Sequence, residues 1–326
     1  MQKQKAFKRP GEGAPEGELR KLQVRVPGSS ANIGPGFDAL ALAYQLYCTL
    51  HFQILEENDL SIPLISLKGC LTEGLPKDQN NLIYTVLSKL WQNDKDILQR
   101  VRITIESDIP LGKGIGSSAA AITGAVWAAY ALSDQIPDNN RVLSKATELE
   151  GHADNAAASL LGGLVISGRS SKTRKIITQK LLWPKEWACI LTVPPYVLST
   201  KKSRAAIPKQ IKHFDAVHNV QKVALLVSAV NNRDEEAMSE ALHDRLHEPY
   251  RAELVPHLSA VRKQVSDLPV IGCVLSGAGS SVLTVVNQRH KQQVISCLRD
   301  WSKSQSAAPD ILELEVDQEG LRVSYE

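Results

Sequence analysis

The chain has 326 residues, 43% of them hydrophobic and 22% charged, which suits one large or two medium globular domains with a real core. Its net charge of +3, with no lysine/arginine stripe interleaved with aromatics, argues against nucleic acid as a partner. Five scattered cysteines without a C-x-x-C pair fit a reduced, cytoplasmic setting rather than a disulfide framework or zinc site, and no apolar run is long enough to span a bilayer.

Residues 1–20 are polar, with Lys3, Lys5, Lys8 and Arg9 ahead of Gly/Pro/Glu-rich sequence. They read as a disordered tail, with targeting as the alternative. Leu22–Val26 predicts a strand ending at a Pro27-Gly28 turn, followed by a glycine-rich loop, Ser29–Asp38, and an apolar stretch, Ala39–Tyr44. Further strands are expected at Thr49–Leu55 and Val101–Glu106, and a helix at Leu82–Trp91 with Asn80-Asn81 as a cap. The loop Pro110–Ser118 opens into an almost wholly apolar helix, Ala119–Leu132. A helix at Arg141–Glu150 and a turn into a strand over Leu160–Ser167 follow. Ser170–Lys175 is an exposed connection, and a boundary there divides the chain into domains 21–175 and 176–326. The second half reads as a strand at Ala188–Val193 and helices at Phe214–Val230, Asp234–Leu242 and Leu254–Leu268. Strands Val270–Leu275 and Val282–Val286 then flank the loop Ser276–Ser281, and helix His290–Trp301 and strand Leu312–Val316 complete an α+β half.

The loop at Pro110–Ser118 carries the strongest local signal. Gly112, Gly114 and Gly116 let the backbone approach a ligand, and the helix start behind them offers N–H groups and a partial positive charge to a phosphate. It is not a Walker A loop, because Gly116 rather than lysine precedes Ser117, and its G-x-G-x-G spacing is not the dinucleotide fingerprint. Taken alone, a glycine-rich turn before a packed helix remains an alternative. Three small-residue loops, Pro27–Asp38, Pro110–Ser118 and Ser276–Ser281, each at a strand end, point to one cleft lined by backbone amides.

The segments Ser30–Asp38, Pro110–Ala120 and Ser276–Gly279 resemble, in order, the three motifs of the GHMP small-molecule kinases. Glu150–Asn155 followed by Gly162-Gly163, and the arginine segments Leu198–Arg204 and Glu248–Arg251, are similar to the homoserine kinase branch. The likeness runs from Leu22 to the C-terminus. It implies an α+β, two-domain GHMP kinase fold: an N-terminal half like domain 2 of ribosomal protein S5 and a ferredoxin-like C-terminal half. It also implies transfer of the γ-phosphate of ATP, with Mg²⁺, to the hydroxyl of L-homoserine, giving O-phospho-L-homoserine for threonine biosynthesis, by a homodimer.

On that resemblance Pro110, Leu111, Gly112, Lys113, Gly114, Ile115, Gly116, Ser117, Ser118, Ala119 and Ala120 form the ATP-phosphate cradle. Lys113 meets a phosphate or faces solvent, and Asn81 contacts the adenine region or simply caps its helix. Ser118 and Glu150 supply hard oxygen ligands for Mg²⁺. Arg204 and Arg251 clamp the acceptor carboxylate, Asp38 faces its ammonium, and Asn32, His152, Asn155 and Thr200 complete the acceptor site. Asn155, Glu150 and Arg204 carry the catalytic roles, Asn155 by orienting the hydroxyl; the base stays open between Asp154 and His152. Ser280 replaces the family's usual proline, which implies a more flexible third loop. Two other readings keep the same residues: a different alcohol acceptor of the isoprenoid type, or a non-catalytic ligand sensor, against which the presence of Ser118 and Glu150 speaks.

Overall fold

The computed structural model describes residues 20–133 and 135–325, so the expected tail, Arg20 apart, lies outside the described residues. Strands β1 (Lys21–Asn32) and β2 (Gly36–Ile54) form a long antiparallel pair. Next come β3 (Ile65–Lys68), α1 (Leu82–Leu90), α2 (Lys95–Arg100) and β4 (Val101–Ser107). Helices α3 (Ser117–Ala131), α4 (Asn139–Glu150) and α5 (Asp154–Leu161) follow, and then the hairpin β5 (Leu164–Arg169) and β6 (Ile176–Leu181). Strand β7 (Trp187–Val193) begins the second sheet, trailed by α6 (Thr200–Ala205), α7 (His213–Asn232), α8 (Glu235–Ala241), α9 (Glu248–Arg251) and α10 (Pro256–Gln264). The chain closes with β8 (Val270–Leu275), β9 (Val282–Asn287), α11 (Lys291–Lys303), β10 (Asp310–Leu314) and β11 (Arg322–Tyr325).

Two sheets result. The first runs β11-β1-β2-β4-β3, with β5 also paired to β2 and β6 to β5; the second runs β10-β7-β9-β8. Helices α3 and α5 pack on β1 and β2, while α10 and α11 pack on the second sheet. Helix α3 is apolar on almost every side and therefore central, with Val126, Trp127 and Ala128 fully buried. Burying an indole of that size is worth several kcal/mol, roughly 3–5 by truncation to alanine. Among the described residues no helix is long and apolar enough to cross a membrane.

Several local expectations change. Pro27-Gly28 is a bulge inside β1 rather than a turn, because the register against Tyr47 and Tyr44 shifts there while pairing continues. The loop Ser29–Asp38 contracts to the tip Ile33–Pro35, since its serines and alanine are ladder residues of β1. Strand β6 and helices α5, α6 and α9 are additional elements; α6 and α9 are four to six residues long and leave no periodic trace. A cut between 175 and 176 does not follow the sheets either, because β6 and the distant β11 both pair within the first one.

Candidate active site

The three loops meet at one place. The tip between β1 and β2 holds Asn32, Ile33 and Asp38 at positive φ (74°, 46° and 56°), uncommon for residues with a Cβ and most strained for a β-branched one. What holds it is one contact within the tip and two from the other half of the chain. Asn32 Nδ2 donates to the Gly277 carbonyl (2.9 Å), Asn32 Oδ1 accepts the Asp38 N–H (3.2 Å), and His247 Nε2 sits 2.8 Å from the Gly34 carbonyl. The third loop reaches the second through Ser276 Oγ, which donates to the Gly114 carbonyl at 2.7 Å. A Cβ on Gly114 would stand 2.4 Å from the Ser276 oxygen and 2.6 Å from that of Gly279, and its φ is +79°, so glycine is required on both counts. Gly116, left-handed, is the N-cap of α3 and provides no side-chain cap, leaving the first N–H groups of that helix for an anion.

The cleft between these loops is about 220 Å³, lined by Gly112, Gly114 to Ser118, Asn32, Glu150, His152, Asp154, Asn155, Thr200, Arg204, Arg251 and Gly277 to Gly279. Beside the glycine loop Ser118 Oγ donates to Glu150 Oε2 at 2.8 Å, and burial raises the proton affinity of Glu150. At its other end Arg204 holds Asp38 through two hydrogen bonds of 2.6 and 3.1 Å. Arg251, only 1% exposed, donates to the Ser203 and Gly277 carbonyls and lies 3.1 Å from His247 Nδ1. Burial, then the neighbouring charge of Arg204, lower its pKa to about 10. Phe37 stacks on His247 (centroids 5.3 Å apart) with both guanidiniums over its ring. Between the two ends lie Asp154 and Asn155. Asp154 is 3% exposed, and burial pushes its carboxyl up to about 6 despite the Asn155 N–H that it accepts. Burial, followed by Arg204, pulls His152 down.

Some expected residues sit elsewhere. Lys113 is in the loop but turned away from the cleft: its Nζ donates to the carbonyls of Pro194 (2.8 Å) and Tyr196 (2.9 Å). Asn81 caps α1 by accepting the Ile83 N–H and donates to the Pro76 carbonyl, so both ends of its buried carboxamide are occupied away from the cleft lining. Pro110, Leu111, Ala119 and Ala120 also fall outside the lining, the two alanines with their side chains buried in α3. Ser280 is not loose; it is buried, its hydroxyl donates to the Tyr196 carbonyl (2.9 Å), and the next amide, Ser281 N–H, donates to the Lys113 carbonyl (3.1 Å).

The chain is similar to known proteins along most of its length. The family models described as GHMP kinases N terminal domain and GHMP kinases C terminal match residues 81–163 and 226–303. A homoserine kinase of Desulfitobacterium hafniense is 34% identical over 93% of this chain and 99% of its own. The chain belongs to the homoserine kinase family. As a GHMP kinase it is an ATP-dependent phosphotransferase with an alcohol acceptor. A homoserine kinase of Nostoc punctiforme is 31% identical over 92% of this chain and 97% of its own. The crystal structure of homoserine kinase from Cytophaga hutchinsonii superimposes with a TM-score of 0.80 at 26% identity, covering 95% of this chain and 99% of that one.

Family membership does not by itself locate every residue that builds the cleft. Ser29, whose hydroxyl donates to Asn155 Oδ1 at 2.9 Å, carries no motif signal, because in sequence it is one more small residue of the first loop. Phe37 lies in the first motif without an assigned role, and His247 is silent until the fold stacks the two rings. Glu248 was part of an arginine segment, yet its carboxylate serves the backbone: it accepts the Leu275 N–H and pairs with Arg262.

Proposed function

We propose that the chain transfers the γ-phosphate of ATP to the hydroxyl of L-homoserine, releasing ADP and O-phospho-L-homoserine, a step of threonine biosynthesis. The observation that carries this reading is the pairing of Asp38 with Arg204 beside Arg251, at the end of the cleft opposite the glycine loop. Such a set fits a small zwitterion: a carboxylate takes its ammonium, and planar guanidiniums take its carboxylate in fork geometry. An acceptor without a carboxylate would bring these guanidiniums no anion to bind.

At the donor end the amides from Gly114 to Ser118 bind the phosphates, and the α3 N-terminus stabilises the charge that develops on them. Ser118 and Glu150 are adjacent hard oxygen donors, which suits Mg²⁺; few protein ligands are needed because that ion keeps waters and substrate phosphates. Bound there, Mg²⁺ would neutralise the phosphate charge. The Asn155 carboxamide oxygen is engaged by Ser29, which leaves its NH₂ to orient the acceptor hydroxyl. Asp154, with its raised proton affinity, receives the hydroxyl proton as the new O–P bond forms.

The test is an ADP-release assay across small alcohols, with L-homoserine expected to be preferred by orders of magnitude in kcat/KM. Equal turnover of a carboxylate-free alcohol would sink the acceptor assignment. The same reading places the enzyme in the cytoplasm. It also carries a homodimer, supported by the exposed apolar strip Phe214, Val217 and Val220 on α7, and sedimentation checks it.

A further inference from the structure

Two residues of the loops find no place in that chemistry. Lys113 is a cation in the phosphate loop that points away from the phosphate site, and Ser280 is a buried hydroxyl in the third loop. The structure puts them on the same acceptor. The Tyr196 carbonyl takes a hydrogen bond from Lys113 Nζ and another from Ser280 Oγ, both at 2.9 Å. Lys113 is joined to the third loop a second time, its own carbonyl accepting the Ser281 N–H at 3.1 Å. The Pro194 carbonyl completes the seat of the ammonium group.

Pro194 and Tyr196 lie on the segment leading from β7 into α6, the helix that carries Arg204. From Tyr196 the connection is continuous. Val197 packs where a side chain on Gly112 would stand, Ser199 caps α6, Ser203 Oγ donates to the Ala278 carbonyl (2.6 Å), and the Ser203 carbonyl accepts from Arg251 (3.3 Å). A charge-assisted bond from lysine is stronger than a neutral one, and this ammonium clips two carbonyls at once.

We propose that Lys113 and Ser280, meeting at the Tyr196 carbonyl, form a positioning node that fixes α6, and with it Arg204, relative to the phosphate loop. The node sets the distance between the donor and acceptor ends of the cleft. It rests on the kinase reading for its functional meaning, and on geometry alone for its existence. Lys113 and Ser280 are positioning residues, since neither faces the cleft.

The experiment compares wild type, Lys113→Met, Lys113→Arg and Ser280→Ala by steady-state kinetics and by hydrogen exchange of the purified full chain. Loss of one charge-assisted clip should raise the KM for L-homoserine about tenfold in Lys113→Met and leave the KM for ATP within about twofold. Arginine can donate to both carbonyls, so Lys113→Arg should recover most of the loss; Ser280→Ala should move the same parameter less. Exchange of the α6 amides, such as Ser203 N–H on the Ser199 carbonyl, should quicken in Lys113→Met while α3 stays protected. Parallel rises in both KM values, or a lowered melting temperature with unchanged KM values, would mean a general structural role and overturn the node. Unchanged α6 exchange overturns it too. Absence of turnover in the wild type would overturn the acceptor assignment and leave the exchange comparison to decide the node.

Discussion

Arg204 and Asp38 neutralise each other across the mouth of the cleft, at 2.6 and 3.1 Å, with side chains 32% and 41% exposed. An ion pair this wet contributes little to stability, on the order of 1 kcal/mol or less, so opening it is inexpensive. A zwitterion offers each partner a replacement of the right sign. Arg204→Ala and Asp38→Asn should each raise the KM for L-homoserine by about two orders of magnitude, with kcat falling less. Each variant also leaves the other charge without its mate, so the double variant should cost less than the sum of the two. Full additivity in a double-mutant cycle would contradict a shared site.

Glu150 and Ser118 touch at 2.8 Å, and their value lies in the oxygen pair rather than in either group. Glu150→Gln keeps the shape and removes the charge, so kcat should fall about 100-fold or more and the magnesium concentration for half-maximal rate should rise several-fold. Ser118→Ala should show the same shift more weakly. A magnesium titration of each variant checks this, and an unchanged midpoint in Glu150→Gln would remove it from the metal site.

Asp154 has its carboxyl raised from 3.8 to about 6 by burial, so the folded chain holds that proton more tightly than the unfolded chain does. Its stability contribution is therefore present below the unfolded value and is lost as pH rises toward 6. Asp154→Asn should melt higher than wild type at neutral pH, with the advantage shrinking as pH falls toward 4. Activity should move the opposite way. Wild type should lose kcat/KM below about pH 6, and the variant should be slow at every pH, without that acid limb. Thermal melts and pH–rate profiles on the same two proteins read both effects.

Gly114→Ala should be among the most damaging single changes outside the charged residues. The new methyl meets two carbonyl oxygens at 2.4 and 2.6 Å, neither of which is a movable side-chain tip, and the backbone stays at positive φ. A loss of roughly 2 kcal/mol or more is expected, together with weaker nucleotide binding by calorimetry.

How much of this was legible in the sequence differs between its two ends. Strand β8 and the helix behind the glycine loop could be read directly, because an unbroken apolar run and a glycine-to-alanine transition have few other meanings. That Arg204, Arg251, Asp38, Glu150 and Ser118 share one neighbourhood was legible because charged and hydroxyl side chains sit inside ordered motifs, and the fold brings all five to one cleft and its rim. Lys113 was not legible. Its neighbours in sequence belong to the phosphate loop, whereas its ammonium answers to Pro194 and Tyr196, about eighty residues later. Asn81 shows the converse: a cap signal read from two asparagines accounts for its carboxamide oxygen, while its NH₂ finds the Pro76 carbonyl. The Pro27-Gly28 bulge was missed because turn chemistry is local, while the partner strand that overrides it is not.

The last described strand, β11, pairs with β1, the first. A ribosome therefore exposes the whole glycine loop long before the sheet beneath it has its outer neighbour. Until Arg322 to Tyr325 emerge, Leu22 to Arg25 present a bare ladder edge. A truncated product carries that same sticky margin, so loss of a few C-terminal residues should show first as aggregation of the nascent protein, before any change in its chemistry is measured.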